Sequence, residues 1–263
     1  MIENLNNPSP APTRRARIVA CTAQHIGDRA EQQDRVGIFT SRRLPDAALF
    51  VVADGMGGKT GGAMAAQQVM STAKHLFEEY SIGDPIAALL TEIVNEAHAI
   101  IRLSAISTEK EPHSTVVALL VQSRRADWAH VGDSRLYHFR GAELIERTID
   151  HSYVEQLVFE GRLDPAEANT HRLSNLLTHA LGTAKAPAIG FGSAENLEPG
   201  AHFLLCSDGL WHYFSDAEFG IVLSTGTPRQ ASERLMQLAR ERGDGTADNC
   251  TLAIVRLDSF EPD

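Results

Sequence analysis

Apolar residues in this chain follow two patterns. In four places they run almost unbroken for four to six positions: Leu49-Phe50-Val51-Val52-Ala53, Trp128-Ala129-His130-Val131, Phe203-Leu204-Leu205-Cys206 and Cys250-Thr251-Leu252-Ala253-Ile254-Val255. Short, β-rich runs of this kind predict buried strands. Elsewhere the apolar positions recur at three and four. Ala66, Val69, Met70, Ala73, Leu76, Phe77 and Tyr80 mark one helix. Ile86, Leu89, Leu90, Ile93, Val94, Ala97, Ile100 and Ile101 mark a second, with Pro85 in its first turn.

The remaining pattern completes an element list. Residues 21–40 and 47–53 read as paired strands turning near 41–46. Residues 114–121, 126–131 and 135–139 read as strands joined by tight turns, with 143–147 following the Arg140-Gly141 turn. Residues 150–186 are polar and weakly periodic. Helices are expected at 216–224 and 228–242, and a closing strand at 251–257. Strands joined by tight turns must be antiparallel. Runs of strands separated by helix pairs predict an α+β fold: a four-layer αββα sandwich, two antiparallel sheets flanked by helix pairs. A single domain is expected at 17–258, with a flap insertion at about 150–186. Flexible tails are expected at 1–16, which is rich in Asn and Pro, and at 259–263.

Composition narrows the function. The chain has 263 residues, enough for one sizeable core, and a formal net charge of −10. That charge argues against nucleic acid or an anionic membrane as partner. No segment has the apolar core of a signal peptide or the ~18–20 apolar residues of a span, so a soluble, cytoplasmic, monomeric protein is expected. Cys21, Cys206 and Cys250 lack metal-ligand spacing and read as core thiols.

The candidate chemistry lies where the apolar runs stop. Asp54-Gly55-Met56-Gly57-Gly58, Gly132-Asp133-Ser134-Arg135 and Ser207-Asp208-Gly209-Leu210 each follow one, and Asp248-Asn249 precedes the last. Any one of these alone reads as a turn. Four carboxylates at strand ends, with Asp34 in a further polar cluster, read differently. Brought together they repel unless a cation joins them, and hard oxygen donors suit Mg²⁺ or Mn²⁺.

In their order and spacing these motifs resemble the type 2C metal-dependent Ser/Thr protein phosphatases, the PPM family, in its bacterial form. The resemblance rests on Arg29, Gln32 and Asp34, on Ala53-Asp54-Gly55-Met56-Gly57-Gly58, Ser114-Thr115, Val131-Gly132-Asp133-Ser134-Arg135, Asp150-His151-Ser152, Leu181-Gly182, Ser207-Asp208-Gly209-Leu210 and Asp248-Asn249. It implies a β-sandwich flanked by helices. It implies hydrolysis of phosphoserine and phosphothreonine in proteins by a metal-bridging hydroxide, without a phosphoenzyme. Asp54 would bridge two ions, Asp208 and Asp248 would complete one, and the Gly55 carbonyl would serve the other. Asp133 would hold a weaker third ion. Asp34 would hold metal-bound water, and Arg29 would bind phosphate without holding metal. Partners would be phosphorylated proteins, with a Ser/Thr kinase or its targets among them.

Three positions depart from the family pattern. Gln33 stands where eukaryotic members have a Glu that helps the second ion. Met56 stands where they have a histidine acting as general acid, so the leaving oxygen is expected to take its proton from metal-bound water. His113-Ser114-Thr115 replaces Gly-Thr-Thr. Two rival classes fit the sequence less well. Residues 53–60 nearly spell a phosphate-binding loop, but Ala53 replaces its first glycine and Asp54 would put a carboxylate in the phosphate cradle. A metal-free binding module should have lost the carboxylates, which are present. Arg135 is expected to pair with a nearby acid. Asp150 and His151 read as turn residues before the flap, and Trp211 as packing.

Overall fold

The computed structural model describes residues 16–108 and 111–259, apart from the side chains of 16, 58–60, 107–108 and 259. The strands are β1 Ala16–His25, β2 Arg35–Ser41, β3 Leu44–Ala53, β4 Gly55–Met56, β5 His113–Ser114, β6 Val116–Gln122, β7 Arg125–Val131, β8 Arg135–Arg140, β9 Glu143–Arg147, β10 Gly190–Ala194, β11 Ala201–Cys206 and β12 Cys250–Ser259. The helices are α1 Gly58–Glu79, α2 Ile86–Thr108, α3 Tyr153–Phe159, α4 Asp208–Trp211, α5 Asp216–Ser224 and α6 Pro228–Gly243. Two five-stranded antiparallel sheets have the orders β1-β12-β11-β8-β9 and β10-β7-β6-β3-β2, and β4 and β5 form a short ribbon.

The unbroken apolar runs have a simple cause: their strands are buried on both faces. On β3, Phe50 and Val52 face the core between the sheets, while Leu49, Val51 and Ala53 face α1 and α2. On β11, Phe203 and Leu205 enter the inter-sheet core, and Leu204 and Cys206 pack on the α4–α6 side. The periodic helix positions do the rest. Ala66, Val69, Ala73 and Phe77 of α1 and Leu90, Ile93, Val94 and Ala97 of α2 are buried against the second sheet. Helix, sheet, sheet, helix is therefore the order of layers, as expected from the sequence.

Three expectations change. Residues 21–40 are not one strand. β1 pairs with β12 in the first sheet, β2 pairs with β3 in the second, and the loop 26–34 crosses between them. Nor is every tight turn a hairpin. Gly132, with φ 101°, turns β7 of one sheet into β8 of the other. The third is an addition: the edge strand β10 and the short helices α3 and α4 carried no signal long enough to read. The tails expected at 1–16 and 259–263 lie outside the described residues, except that Ala16 and Ser259 pair across β1 and β12.

Candidate active site

The strand registers explain how scattered carboxylates meet. At one end of the second sheet Arg35 faces Ala53, Val52 faces Val117 and Val116 faces Val131. At the same end of the first, Cys206 faces both Arg135 and Leu252. Asp34, Asp54, Asp133, Asp208 and Asp248 each lie within a few residues of these ends. They crown the opening between the sheets.

Their surroundings hold them firmly. Asp54 O accepts from Thr115 N at 2.8 Å, and its own N–H donates to Thr115 Oγ1 at 3.0 Å. Thr115 Oγ1 in turn meets Ser134 Oγ at 2.7 Å, which ties Asp54 to the Asp133 turn. Ser207 Oγ donates to Asp34 Oδ2 at 2.7 Å and accepts from Thr251 N at 3.1 Å. Trp211 Nε1 donates to Asp133 O at 2.9 Å. Gly55 has no room for a side chain, because a Cβ there would stand 2.0 Å from Gly62 O. The backbone at Gly55 is thus packed directly on α1.

The electrostatics of this cluster are set by burial and mutual repulsion. Burial, followed by Asp34, Asp208, Asp133 and Asp248, holds the Asp54 carboxyl well above its ordinary value. Burial pushes Asp34 up to about 7, although the Ser207 and Thr251 hydroxyls favour its charged form. Asp133 is raised by burial, then by Asp208 and Asp150. Asp208 is raised by burial and Asp248, against the opposing pull of His212. Asp34, Asp208, Asp133 and Asp248 together raise the Asp54 carboxyl, so these carboxylates repel one another unless protons neutralise them. A hard divalent cation would do the same work with more charge, so the donor set fits such an ion. Among the described residues, no three His, Cys, Asp or Glu side chains form a closed ion cage as they stand. Both Asp248 oxygens are engaged elsewhere, Oδ2 by Arg29 Nη2 at 2.5 Å and Oδ1 by Asn249 N at 2.7 Å.

The other singled-out residues fall into place. Arg135 does pair with an acid, donating to both oxygens of buried Asp150 from Nε at 2.9 Å and from Nη2 at 2.7 Å. Its guanidinium also lies 3.4 Å over the Trp211 ring. His151 bolts the start of the flap to the Asp133 turn: its N–H donates to Gly132 O at 2.9 Å and its Nδ1 accepts from Gly132 N at 3.3 Å. The Asp54 N–H, which a phosphate-binding loop would aim at its ligand, is taken by Thr115. Met56 pairs directly with His113 across β4 and β5, and His113 Nδ1 is buried without a hydrogen-bond partner. Sequence reading missed Ser207, Thr115 and the role of Asn249. All three stand inside the motifs, but their side-chain bonds cross between elements and leave no periodic trace.

The chain is similar to known proteins over most of its length. A family model described as protein phosphatase 2C matches residues 21–243. The chain is 34% identical over 221 residues to the serine/threonine protein phosphatase PstP of Mycobacterium tuberculosis, covering 82% of this chain and 41% of PstP, so it spans under half of that relative. It is 30% identical over 236 residues to protein phosphatase PhpP of Streptococcus pneumoniae, covering 87% of this chain and 93% of PhpP. Among solved structures, the S. agalactiae serine/threonine phosphatase matches with a TM-score of 0.84 at 28% identity, over 92% of this chain and all of that one. The catalytic domain of PstP in complex with two manganese ions matches with a TM-score of 0.76 at 31% identity, over 94% of this chain and 100% of that one.

Proposed function

This chain belongs to the protein phosphatase 2C family, and from that premise we propose that it hydrolyses phosphoserine and phosphothreonine in proteins with the help of Mn²⁺ or Mg²⁺. The observation that carries the reading is the mutual field of Asp34, Asp54, Asp133, Asp208 and Asp248 at one end of the sandwich. Asp54, Asp208 and Asp248, with the Gly55 carbonyl, would hold two ions, and Asp133 a weaker third. Bound there, the ions neutralise the dianionic phosphoryl group and acidify the attacking water.

The chain's own residues do the rest. Asp34, fixed by Ser207, orients water at the opening between the sheets. Arg29, with its planar fork on an exposed loop, grips phosphate oxygens. Arg135 and Asp150 neutralise each other, which leaves Arg29 to face the substrate. The flap from 150 to about 186 flanks the site and selects among phosphorylated proteins. In the cell the enzyme would work as a cytoplasmic monomer that reverses a Ser/Thr kinase. No described helix is long and apolar enough to cross a membrane.

Activity on a phosphothreonine peptide and on p-nitrophenyl phosphate tests this. Turnover is expected with added Mn²⁺ or Mg²⁺ and is expected to vanish in EDTA. ATP turnover without phosphopeptide turnover would overturn the proposal.

A further inference from the structure

The loop that carries Arg29 and the segment that carries Asp248 are fastened together as one unit. Asp28 N donates to Ala247 O at 2.8 Å, and Ala247 N donates to Asp28 Oδ2 at 2.8 Å. Asn249 Nδ2 donates to Ile26 O at 2.8 Å and to Glu31 O at 3.0 Å, and its Oδ1 accepts from Gln33 N at 2.7 Å. Gly27, at φ 66°, passes so close that a Cβ would stand 2.1 Å from Asp248 O. The backbone under Arg29 is therefore fixed relative to Asp248. The side chain is not: it is 61% exposed, and its bond to Asp248 Oδ2 is a half-open ion pair. Beside the pair opens a cavity of about 370 Å³ lined by Arg29, Ala30, Glu31, Gln33, Asp248 and Asn249.

We propose that Arg29 is an exchangeable arm. It neutralises Asp248 while no cation is bound, and a divalent ion arriving at Asp248 releases the guanidinium into the adjoining cavity to take the phosphoryl group. The proposal rests on reading Asp248 as an ion ligand. The physical reason is competition for one oxygen. Asp248 Oδ2 cannot serve a guanidinium and a hard cation equally, and the two positive groups repel each other. Because the backbone is clamped, the arm needs only side-chain rotation to change partners. The exchange makes the ion and the phosphate mutually supportive: each removes what the other competes with, and such coupling is reciprocal. It also orders assembly, with metal first and phosphate second.

The size of the effect follows from exposure. A solvent-exposed ion pair contributes up to about 1 kcal/mol, equivalent to roughly a fivefold change in affinity. Calorimetric titration of the full chain with Mg²⁺ tests this. Arg29→Gln is expected to bind Mg²⁺ roughly two- to fivefold more tightly than wild type, while Arg29→Lys, which keeps the charge, stays close to wild type. Inorganic phosphate is expected to tighten Mg²⁺ binding more in wild type than in Arg29→Gln. Equal or weaker Mg²⁺ binding by Arg29→Gln would overturn the exchange, and so would an equal phosphate effect in both proteins. Wild type that binds no Mg²⁺ would remove the ligand reading beneath it. These outcomes are separable from the activity itself. Normal phosphopeptide turnover with unmoved Mg²⁺ affinity defeats only the exchange, whereas shifted affinity without turnover defeats only the phosphatase reading.

Discussion

Asp34 shows at the scale of one residue how burial and charge trade off. Its carboxyl titrates near 7 in the fold, against an ordinary value of 3.8. Between those limits the folded protein keeps a proton that the unfolded chain has released. The resulting stability is complete below 3.8 and is lost as pH rises through about 7. In divalent-free buffer Asp34→Asn is therefore expected to gain thermal stability on wild type as pH rises from about 5 to about 8. A difference that shrinks over that range would contradict the account. In the proposed centre Asp54 would serve both ions. Asp54→Ala is expected to lower kcat at least ~10³-fold with Mn²⁺, and near-normal turnover in that variant would remove it from the centre. Ser207→Ala strips a buried hydroxyl from both Asp34 and Thr251 N. Its expected cost is about 1–3 kcal/mol, read by urea unfolding.

Among the elements, the flap's attachment is the most exposed to test. Arg135 of β8 and Asp150 at the flap's start form a buried, doubly bonded pair, and the chain returns through bridges Ser152–Leu177 and Ser114–Leu181. Arg135→Leu strands a buried carboxylate and is expected to cost about 3–5 kcal/mol, while the double change Arg135→Leu with Asp150→Leu is expected to cost less than Arg135→Leu alone. Equal losses in urea melts would mean the pair does not couple. If the flap selects proteins, shortening residues 153–176 is expected to slow phosphoprotein hydrolysis more than that of p-nitrophenyl phosphate. Equal losses on both would argue against selection.

For the whole molecule, the central fact is that two sheets end together. Carboxylates from both meet at that edge, so ion binding should brace the sandwich as well as complete the site. Mn²⁺ is expected to raise the melting temperature of wild type at pH 8, and EDTA to reverse it; Asp54→Ala should lose most of that rise. The same Mn²⁺ response in Asp54→Ala would place the bound ion elsewhere. Much of this architecture was legible in sequence. Strands buried on both faces are apolar at most positions, so β3, β7, β11 and β12 announced themselves. One-sided helices announced themselves by period. The carboxylates were legible because a charge at the end of a buried run has little business there except a turn or a ligand. Hidden were the facts that depend on which strand pairs with which. The loop 26–34, the sheet switch at Gly132 and the strand β10 leave no local pattern, because each is decided by partners far away in the chain. The grip of Arg29 on Asp248, the Ser207 bond to Asp34 and the Arg135–Asp150 pair are of the same kind. Local chemistry along the chain determined the element types and the candidate ligands; only packing between distant segments decided how close those ligands stand and what each one touches.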